Sequence, residues 1–479
     1  MQRRTKIIAT LGPSSCDMAM LEKLLEQHVD IVRINFSHGT KEQHITSIKN
    51  VRSAASNLGR EIAILADIQG PKIRISSFEN GHITIKEGDD LILDHNIARG
   101  AGTSEAVGID YAHLYLDVKE GDTLRLGDGE ISLQVIKVSD EKIFCKSLTT
   151  AILSDHKGIN LQGGGLSAAA ITVKDRKDIA TAVAMEADYI ALSFVRSSED
   201  ILEGRKIIAE HNGKAGIIAK IERKEAVKAA ESIIAAADGI MIARGDLALE
   251  IGDAEVPAVQ KNLVKLARSM AKPTIIATQM MESMVVNTVP TRAEVSDVAN
   301  AVLDGGDAVM LSAETAVGAN PFAVVEAVAR VCNSAEKYRS TRDNSTFFTK
   351  EITAVDEGIA VASMYIANHM EISAIIALTE NGRTPLWMSR ARSNIPIYAI
   401  SRHEESRKRM MIYRDVYPYD FDVTTFSYGE VDYEVVEYLI AKKLVHVGQL
   451  VIITKGDCMG AENGVNAIKV VEVGKVKRG

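Results

Sequence analysis

The chain is predicted to fold as a TIM-type (β/α)8 barrel, interrupted after its third strand by an all-β module and followed by a C-terminal α/β domain. Three observations predict this. Eight short apolar runs rich in Ile, Val, Leu and Ala recur along the 479 residues, most of them separated by helical stretches. They begin near residues 6, 31, 62, 189, 216, 239, 273 and 308, and every step but one is 23 to 35 residues, the length of one βα unit. The exception, from 62 to 189, carries about 100 extra residues, and the pattern resets after about residue 343.

The eight runs are Lys6–Leu11, Ile31–Asn35, Ile62–Asp67, Tyr189–Phe194, Gly216–Ile221, Gly239–Ala243, Pro273–Ala277 and Ala308–Leu311. They do not alternate apolar with polar residues, which suits strands buried on both faces of a parallel sheet. An open doubly wound sheet is the rival arrangement, and the even spacing of eight units favours closure. Ala226–Ala237 and Val256–Ala271 show apolar residues at helical spacing. Inside the insertion, His82–Asp94, Asp122–Val138 and Lys142–Leu148 alternate and are joined by Gly-Asp turns, as expected of a small barrel or sandwich. Gly163-Gly164-Gly165 reads as the hinge where the chain returns to the barrel. A polar link, Arg339–Ser345, precedes a helix near Asp356–Met370 and strands at Ala374–Leu378, Ile397–Ile400, Leu450–Thr454 and Ile468–Val473. The expected division is 1–70 and 171–343 for the barrel, 71–170 for the β module and 344–479 for the third domain.

Composition narrows the class. Hydrophobic residues make up 46% and charged residues 25%, as in ordinary globular proteins, which excludes disorder and disulfide scaffolds. A net charge of −8 makes nucleic acid a poor partner. No apolar run is long enough to cross a bilayer, so no membrane association is expected. The basic start, Met1-Gln2-Arg3-Arg4-Thr5, leads into a short β-like run and Gly12-Pro13, unlike a signal peptide. Cys16, Cys145, Cys332 and Cys458 are each more than 120 residues from the next, so there is no local zinc spacing. Free, mostly buried thiols in a reducing cytoplasm are expected.

In such a barrel the chemistry sits at the carboxyl ends of the strands. The first strand ends at Gly12-Pro13-Ser14, and the second in Arg33, Asn35, Ser37 and His38. The third gives Asp67, Gly70-Pro71-Lys72 and Arg74; the fourth, Ser193 and Arg196; the fifth, Lys220 and Glu222. The sixth gives Arg244, Gly245 and Asp246; the seventh, Thr278, Gln279 and Glu282; the eighth, Ser312 and Glu314. One charge after one strand is most often a solvated loop residue. The set is different. Lys220 and Glu222 share a strand face by period two, and Asp246 follows from the next strand. Two carboxylates on adjacent strands beside a lysine suit a hard cation with a phosphate clamp. Gly245-Asp246-Leu247 enters a helical turn directly from a strand, and free N–H groups there suit a carboxylate or phosphate. An ordinary βα turn is the plainer reading of that segment taken alone.

Several chemistries are absent. GxxxxGK[ST], a GxGxxG after a strand, GxSxG and HExxH do not occur. Of 11 histidines only His38 lies at a strand end, so imidazole acid–base or zinc chemistry is not indicated. Trp387, the single tryptophan, is expected to serve packing in the third domain.

The strand-end segments TKIIATLGPSS (Thr5–Ser15), VRINFSHG (Val32–Gly39), DIQGPKIR (Asp67–Arg74), AKIER (Ala219–Arg223), MIARGDL (Met241–Leu247), ATQMMESM (Ala277–Met284), PTRAEVSDVANAVLDG (Pro290–Gly305) and LSAETA (Leu311–Ala316) resemble those of the pyruvate kinase family, over about residues 5 to 320. The resemblance implies transfer of phosphate from phosphoenolpyruvate to ADP, the glycolytic step that gives pyruvate and ATP, by a homotetramer. It implies Mg²⁺, replaceable by Mn²⁺, on Glu222 and Asp246. Lys220, assisted by Arg33, would neutralise the transferring phosphoryl oxygens. The Gly245 and Asp246 amides would hold the substrate carboxylate, and Thr278 lies where the enolate is protonated. Thr278 is itself a poor acid, so a water chain near Ser312 and Glu314 is expected to deliver the proton. Nucleotide contacts would come from Asn35, His38, Arg74 and Lys157, making the β module a lid that excludes water.

One departure is informative. Many members of the family hold K⁺ at positions matching Asn35, Ser37, Asp67 and the carbonyl of Ile68. They carry Glu where this chain has Lys72, and usually Lys where it has Gln69; the chain resembles the bacterial subgroup with Lys in the GPKIR motif. An ammonium on Lys72 would supply the charge K⁺ brings, and would repel the ion by roughly 1–4 kcal/mol at about 4 Å for effective dielectrics of about 80 to 20. K⁺ is therefore expected not to be required. The plainer reading is that Lys72 pairs with a surface acid. In the third domain, Thr379, Asn381, Gly382, Arg383 and Thr384 follow a strand in a polar glycine-containing loop, a cradle suited to the phosphate of an effector. The resemblance points to a sugar monophosphate or AMP. The alternatives are a Mg²⁺-enolate lyase on the same barrel and a catalytically inactive metabolite sensor. Arg74, Lys157 and the lid argue against the first, and the intact Lys220, Glu222, Asp246 and Thr278 against the second.

Overall fold

The computed structural model describes residues 3–338, 351–391, 393–458, 460–476 and 478; the expected polar link at 339–345, and with it the 343/344 boundary, lies outside them. The barrel strands are β1 (Lys6–Thr10), β2 (Ile31–Asn35), β3 (Ala63–Ile68), β12 (Tyr189–Leu192), β13 (Gly216–Ile221), β14 (Gly239–Ala243), β15 (Thr274–Ala277) and β16 (Ala308–Leu311). They close in the order β1-β16-β15-β14-β13-β12-β3-β2, and the pairs are parallel. Closure thus wins over the open sheet. Nearly every strand residue is buried, because one face fills the barrel and the other packs under helices. The expected helix at Ala226–Ala237 is divided at Ala229 into Lys224–Lys228 and Ala230–Ala236. Nothing in the local sequence explains that break.

Between β3 and β12 lie β4 (His82–Ile85), β5 (Asp90–Leu93), β6 (Ala106–Val107), β7 (Thr123–Leu126), β8 (Ile131–Ser139), β9 (Lys142–Ser147), β10 (Ala151–Ser154) and β11 (Ile159–Leu161). They form a six-stranded sheet, β11-β7-β8-β9-β5-β6, and a two-stranded ribbon, β10-β4, around one apolar cluster that includes Leu91, Leu93, Leu124, Leu133 and Ile143.

The third sheet runs β19-β18-β17-β20-β21, with β17 (Ile372–Leu378), β18 (Ile397–Ile400), β19 (Val416–Tyr419), β20 (Leu450–Gly456) and β21 (Val465–Glu472). β19 has no counterpart in the sequence reading. It carries Pro418, which is tolerated because β19 is an edge strand with no ladder partner on its outer side. β21 pairs antiparallel with β20, and the other pairs are parallel.

The floor of the barrel rests on this sheet. One apolar cluster runs from the barrel interior (Ile8, Leu65, Ile218, Met310) into the third domain (Ile375, Ala377, Ile452), and Trp387 packs against it. Buried charges ring the junction. Arg390 donates to Asp307 Oδ2 at 3.0 Å and to the Lys272 carbonyl at 3.1 Å, and both Arg390 and Asp307 are buried. Glu336 Oε1 accepts from the Thr5 amide at 2.7 Å, and Lys6 Nζ donates to the Val416 carbonyl at 2.6 Å. Cys145 and Cys332 are buried, and burial pushes both thiols up to about 12. Cys16 and Cys458 are exposed, so half of the thiols are buried rather than most. All four are free. Among the described residues no helix is long and apolar enough to cross a membrane.

Removing one member of a buried pair strands the other. Asp307→Ala is therefore expected to destabilise the protein by about 3–5 kcal/mol, read as a lower calorimetric melting temperature. Asp307→Ala/Arg390→Met should recover most of the loss.

Candidate active site

The rim at the carboxyl end of the barrel gathers charge from four strands. Asp67, buried near the end of β3, accepts from Arg33 Nε at 2.7 Å and lies 3.2 Å from Lys220 Nζ. Lys220 reaches Glu222 Oε1 at 2.9 Å, as the period-two spacing requires, and donates to Ser193 Oγ at 2.7 Å. Ser193 Oγ donates to the Ile68 carbonyl at 2.6 Å, and Glu222 Oε2 accepts from the Phe194 amide at 2.8 Å. Phe194 turns through φ +55° to present that amide. Arg33 Nη1 donates to Thr10 Oγ1 at 3.0 Å.

Burial works against each of these charges, and neighbours decide the outcome. For Lys220, burial pulls the ammonium down, but Asp67 and Glu222 outweigh it and hold the group above the ordinary lysine value. For Asp67, burial pushes up, but Lys220 and Arg33 win and the carboxyl lies below its ordinary value. Glu222 goes the other way. Burial, with Asp246 adding to it against the pull of Lys220, holds its carboxyl above the ordinary glutamate value.

Two carboxylates that repel one another, Glu222 buried and Asp246 partly exposed, each resting on a lysine, form a donor set that fits a hard divalent cation. Among the described residues there is no group of three or more His, Cys, Asp or Glu with metal-binding geometry. Two carboxylates, Glu222 and Asp246, suffice for a hard divalent cation whose remaining oxygens come from water and substrate phosphate.

Asp246 lies in the first turn of the helix Arg244–Ile251, which starts directly from β14. The Gly245 amide, expected to face a ligand, donates to Thr278 Oγ1 at 3.0 Å. Thr278 Oγ1 donates to the Ala277 carbonyl at 2.6 Å, so its proton points into the backbone. Thr278 and Gln279 stand at φ +70° and +56°. A β-branched residue in that region costs about 1–3 kcal/mol, a strain that clusters at functional sites. Arg244, named in the sequence only as a strand-end residue, anchors this turn by donating to the Ala277 carbonyl at 3.2 Å and the Thr278 carbonyl at 2.6 Å. Both Glu314 oxygens are taken, Oε2 by the Ser312 amide at 2.6 Å and Oε1 by the Met281 amide at 3.2 Å.

Lys72 and the residues expected at the monovalent-cation position have protein partners of their own. Lys72 Nζ pairs with Asp246 Oδ1 at 3.0 Å, so its ammonium rests on the carboxylate assigned to the divalent metal, and no ion pair joins it to Asp67. Asn35 Oδ1 accepts from the Ser37 amide at 3.1 Å, and the Ile68 carbonyl accepts from Ser193. On the inserted β module, Arg74 donates to the His156 carbonyl at 2.9 Å and bridges Gly158, beside Lys157, whose Nζ lies 3.4 Å from Glu130 Oε2. Asn35 ends β2 on the barrel, and His38 follows it, its amide donating to the Asn35 carbonyl at 3.4 Å.

In the third domain Thr379, Asn381, Arg383 and Thr384 line one open pocket with Asp356, Asn463 and the chain between β20 and β21. Gly382, at φ +81°, donates to Thr379 Oγ1 at 3.0 Å, and the Arg383 amide donates to Asn381 Oδ1 at 3.1 Å. Arg383 Nε pairs with the buried Asp356 at 3.0 Å, a partner 27 positions away that no local pattern marks.

A family model described as "Pyruvate kinase, barrel domain" matches residues 2–325, and one described as "Pyruvate kinase, alpha/beta domain" matches residues 357–471. The chain belongs to the pyruvate kinase family. It is 46% identical over 475 residues to a pyruvate kinase of Buchnera aphidicola, covering 98% of this chain and 99% of that one. It is equally similar, with the same coverage, to pyruvate kinase II of Salmonella typhimurium. A crystal structure of a pyruvate kinase from Cryptosporidium parvum superposes with a TM-score of 0.91 at 35% identity, covering 98% of this chain and 96% of that one. The family uses a divalent metal, with phosphoenolpyruvate and ADP as substrates.

Glu250, one helical turn beyond Asp246, is buried, and burial pushes its carboxyl up to about 7 against the Lys224 amide and Arg223. The folded state therefore holds this proton more tightly than the unfolded chain. Its contribution to stability is full below about pH 4.5 and is lost as pH rises through about 7, at most roughly 3 kcal/mol. Glu250→Gln removes this term, so the stability of the variant relative to wild type should rise between pH 4.5 and 7 in denaturant titrations.

Proposed function

We propose that the chain transfers the phosphoryl group of phosphoenolpyruvate to ADP with Mg²⁺ as its divalent cation, Mn²⁺ serving in its place, and without a requirement for K⁺. The observation that carries this reading is Lys220, kept charged on a dry rim by Asp67 and Glu222 with Asp246 opposite. Phosphoryl transfer is mostly positioning and electrostatic stabilisation, and this rim supplies both. Glu222 and Asp246 are the residues that would hold the cation, which when bound neutralises and polarises phosphoryl oxygens. Lys220 and Arg33 add positive charge where the transferring group carries negative charge. The Asp246 amide, at the start of a helix, faces the substrate carboxylate, and the Gly245 amide exchanges Thr278 Oγ1 for that carboxylate when substrate binds. Thr278 orients the enolate but commits its own proton to Ala277, so protonation runs through water beside Ser312, whose amide Glu314 fixes.

Residues 71–170 act as a lid over the barrel of residues 1–70 and 171–343, and residues 344–479 regulate it. ADP is held between Asn35 and His38 below and Arg74 and Lys157 above. Lys72 brings to this rim the positive charge that K⁺ brings to relatives with Glu at that position. The pocket lined by Thr379, Asn381, Arg383 and Thr384, with Gly382 turning the chain beside it, takes the phosphate of a sugar monophosphate or AMP. That phosphate competes with Asp356 for Arg383.

A coupled assay following pyruvate through lactate dehydrogenase tests the reading. Turnover with Mg²⁺ in tetramethylammonium chloride should be within about twofold of that in KCl. Lys72→Glu should make turnover depend on KCl by tenfold or more. A many-fold rise with KCl in the wild type would refute K⁺ independence. Arg383→Ala should abolish activation by sugar monophosphates and AMP and leave basal turnover unchanged.

A further inference from the structure

The lid rejoins the barrel through a segment that has no side chains of its own to hold it. Gly163, Gly164 and Gly165 stand at φ +96°, +78° and +112°, and a Cβ on Gly164 would lie 2.7 Å from Glu225 Oε1. Whatever fixes this segment must therefore grip its backbone from the barrel. The structure contains such a grip. The Glu250 carbonyl accepts from the Gly163 amide at 2.9 Å, and Glu225 Oε1 accepts from the Gly165 amide at 2.6 Å. Arg223 Nη2 donates to the Leu166 carbonyl at 2.6 Å. Arg223 is 2% exposed, and its Nε lies 3.6 Å from both Glu225 Oε2 and Glu250 Oε1. Glu250 Oε2 accepts from the Lys224 amide at 2.8 Å.

A small cavity beside this cluster is lined by Asn160, Arg223 and Glu250, together with Pro71 and Lys72 from the segment after β3 by which the lid leaves the barrel. Asn160 Nδ2 and Arg223 Nε are both buried there without a hydrogen-bond partner. The cluster thus touches both connections of the lid. It also touches the reaction rim. Arg223 directly follows Glu222, and Glu250 lies one helical turn from Asp246.

We propose that Arg223 is a positioning residue for phosphoryl transfer. By gripping Leu166 and pairing with Glu225 and Glu250, it sets where the lid stands over Glu222 and Asp246. The inference rests on the reading of residues 71–170 as a nucleotide lid. A guanidinium suits the task because its fixed fork serves a carbonyl and two carboxylates at once, which a single ammonium does not.

The test uses the full-length chain, with Arg223→Met, Arg223→Lys and Glu225→Gln. It reads KM for ADP, KM for phosphoenolpyruvate and kcat, together with hydrogen–deuterium exchange at residues 163–167. Arg223→Met should raise KM for ADP at least tenfold, change KM for phosphoenolpyruvate less than threefold, and speed exchange at residues 163–167 at least tenfold. Arg223→Lys should recover the melting temperature without recovering KM for ADP. If Arg223→Met does not fold, Glu225→Gln decides, with an expected rise of at least threefold in KM for ADP alone. Equal shifts in both KM values, or full rescue of KM for ADP by lysine, would overturn the role. Wild-type exchange at residues 163–167 that Mg²⁺, phosphoenolpyruvate and ADP leave unchanged would overturn the lid reading instead. Ligand protection in the wild type with an unaltered KM for ADP in Arg223→Met would overturn the role of Arg223 alone.

Discussion

Lys220 holds two carboxylates, and the upper half of the molecule is arranged around that contact. An ammonium and two carboxylates out of water each forfeit several kcal/mol of hydration, and only close pairing with further hydrogen bonds offsets the loss. The pairing here spans β2, β3 and β13 through Arg33, Asp67 and Lys220, with Ser193 just beyond β12 and Glu222 just beyond β13. Lys220 meets Glu222 from its own strand end, and its second carboxylate, Asp67, comes from β3. The four strands are consecutive neighbours in the parallel sheet, and that pairing brings their carboxyl ends within hydrogen-bonding distance, so the fold and the charge balance depend on each other.

The carboxylates are not equally served. Asp67 has two cations and lies below its ordinary pKa, whereas Glu222 shares Lys220 and faces Asp246. That imbalance gives the rim a place for added positive charge and orients it toward Asp246. Below, the barrel continues without a break into the third domain through apolar contacts and buried ion pairs. The barrel interior and the sheet of the third domain thus share one close-packed apolar cluster.

The barrel was legible because its strands are buried on both faces and so read as apolar runs, as in Gly239–Ala243 and Ala308–Leu311. The Lys220–Glu222 pair was legible because a strand repeats every two residues. What escaped depends on tertiary placement. β19 carries Pro418 and reads as a turn until its edge position is known. Lys72 meets Asp246 across 174 positions, Arg383 meets Asp356 across 27, and Arg244 reaches the Thr278 turn from a neighbouring strand. Arg223 lies inside a quoted motif, yet its partners Leu166 and Glu250 come from the lid junction and the next βα unit. Motifs show which residue types assemble, and only the folded chain shows which of them already neutralise one another.

The central claim is that Lys220 serves the transferring phosphoryl group and is not needed to hold the divalent cation. Titrating Mn²⁺ by electron paramagnetic resonance in wild type, Lys220→Met and Asp246→Asn, alongside turnover, tests it most directly. The account predicts that Lys220→Met binds Mn²⁺ as tightly as wild type or tighter while turnover falls at least a thousandfold, and that Asp246→Asn weakens Mn²⁺ binding at least tenfold. Lys220→Met that keeps turnover within tenfold of wild type, or that loses Mn²⁺ together with turnover, would contradict it.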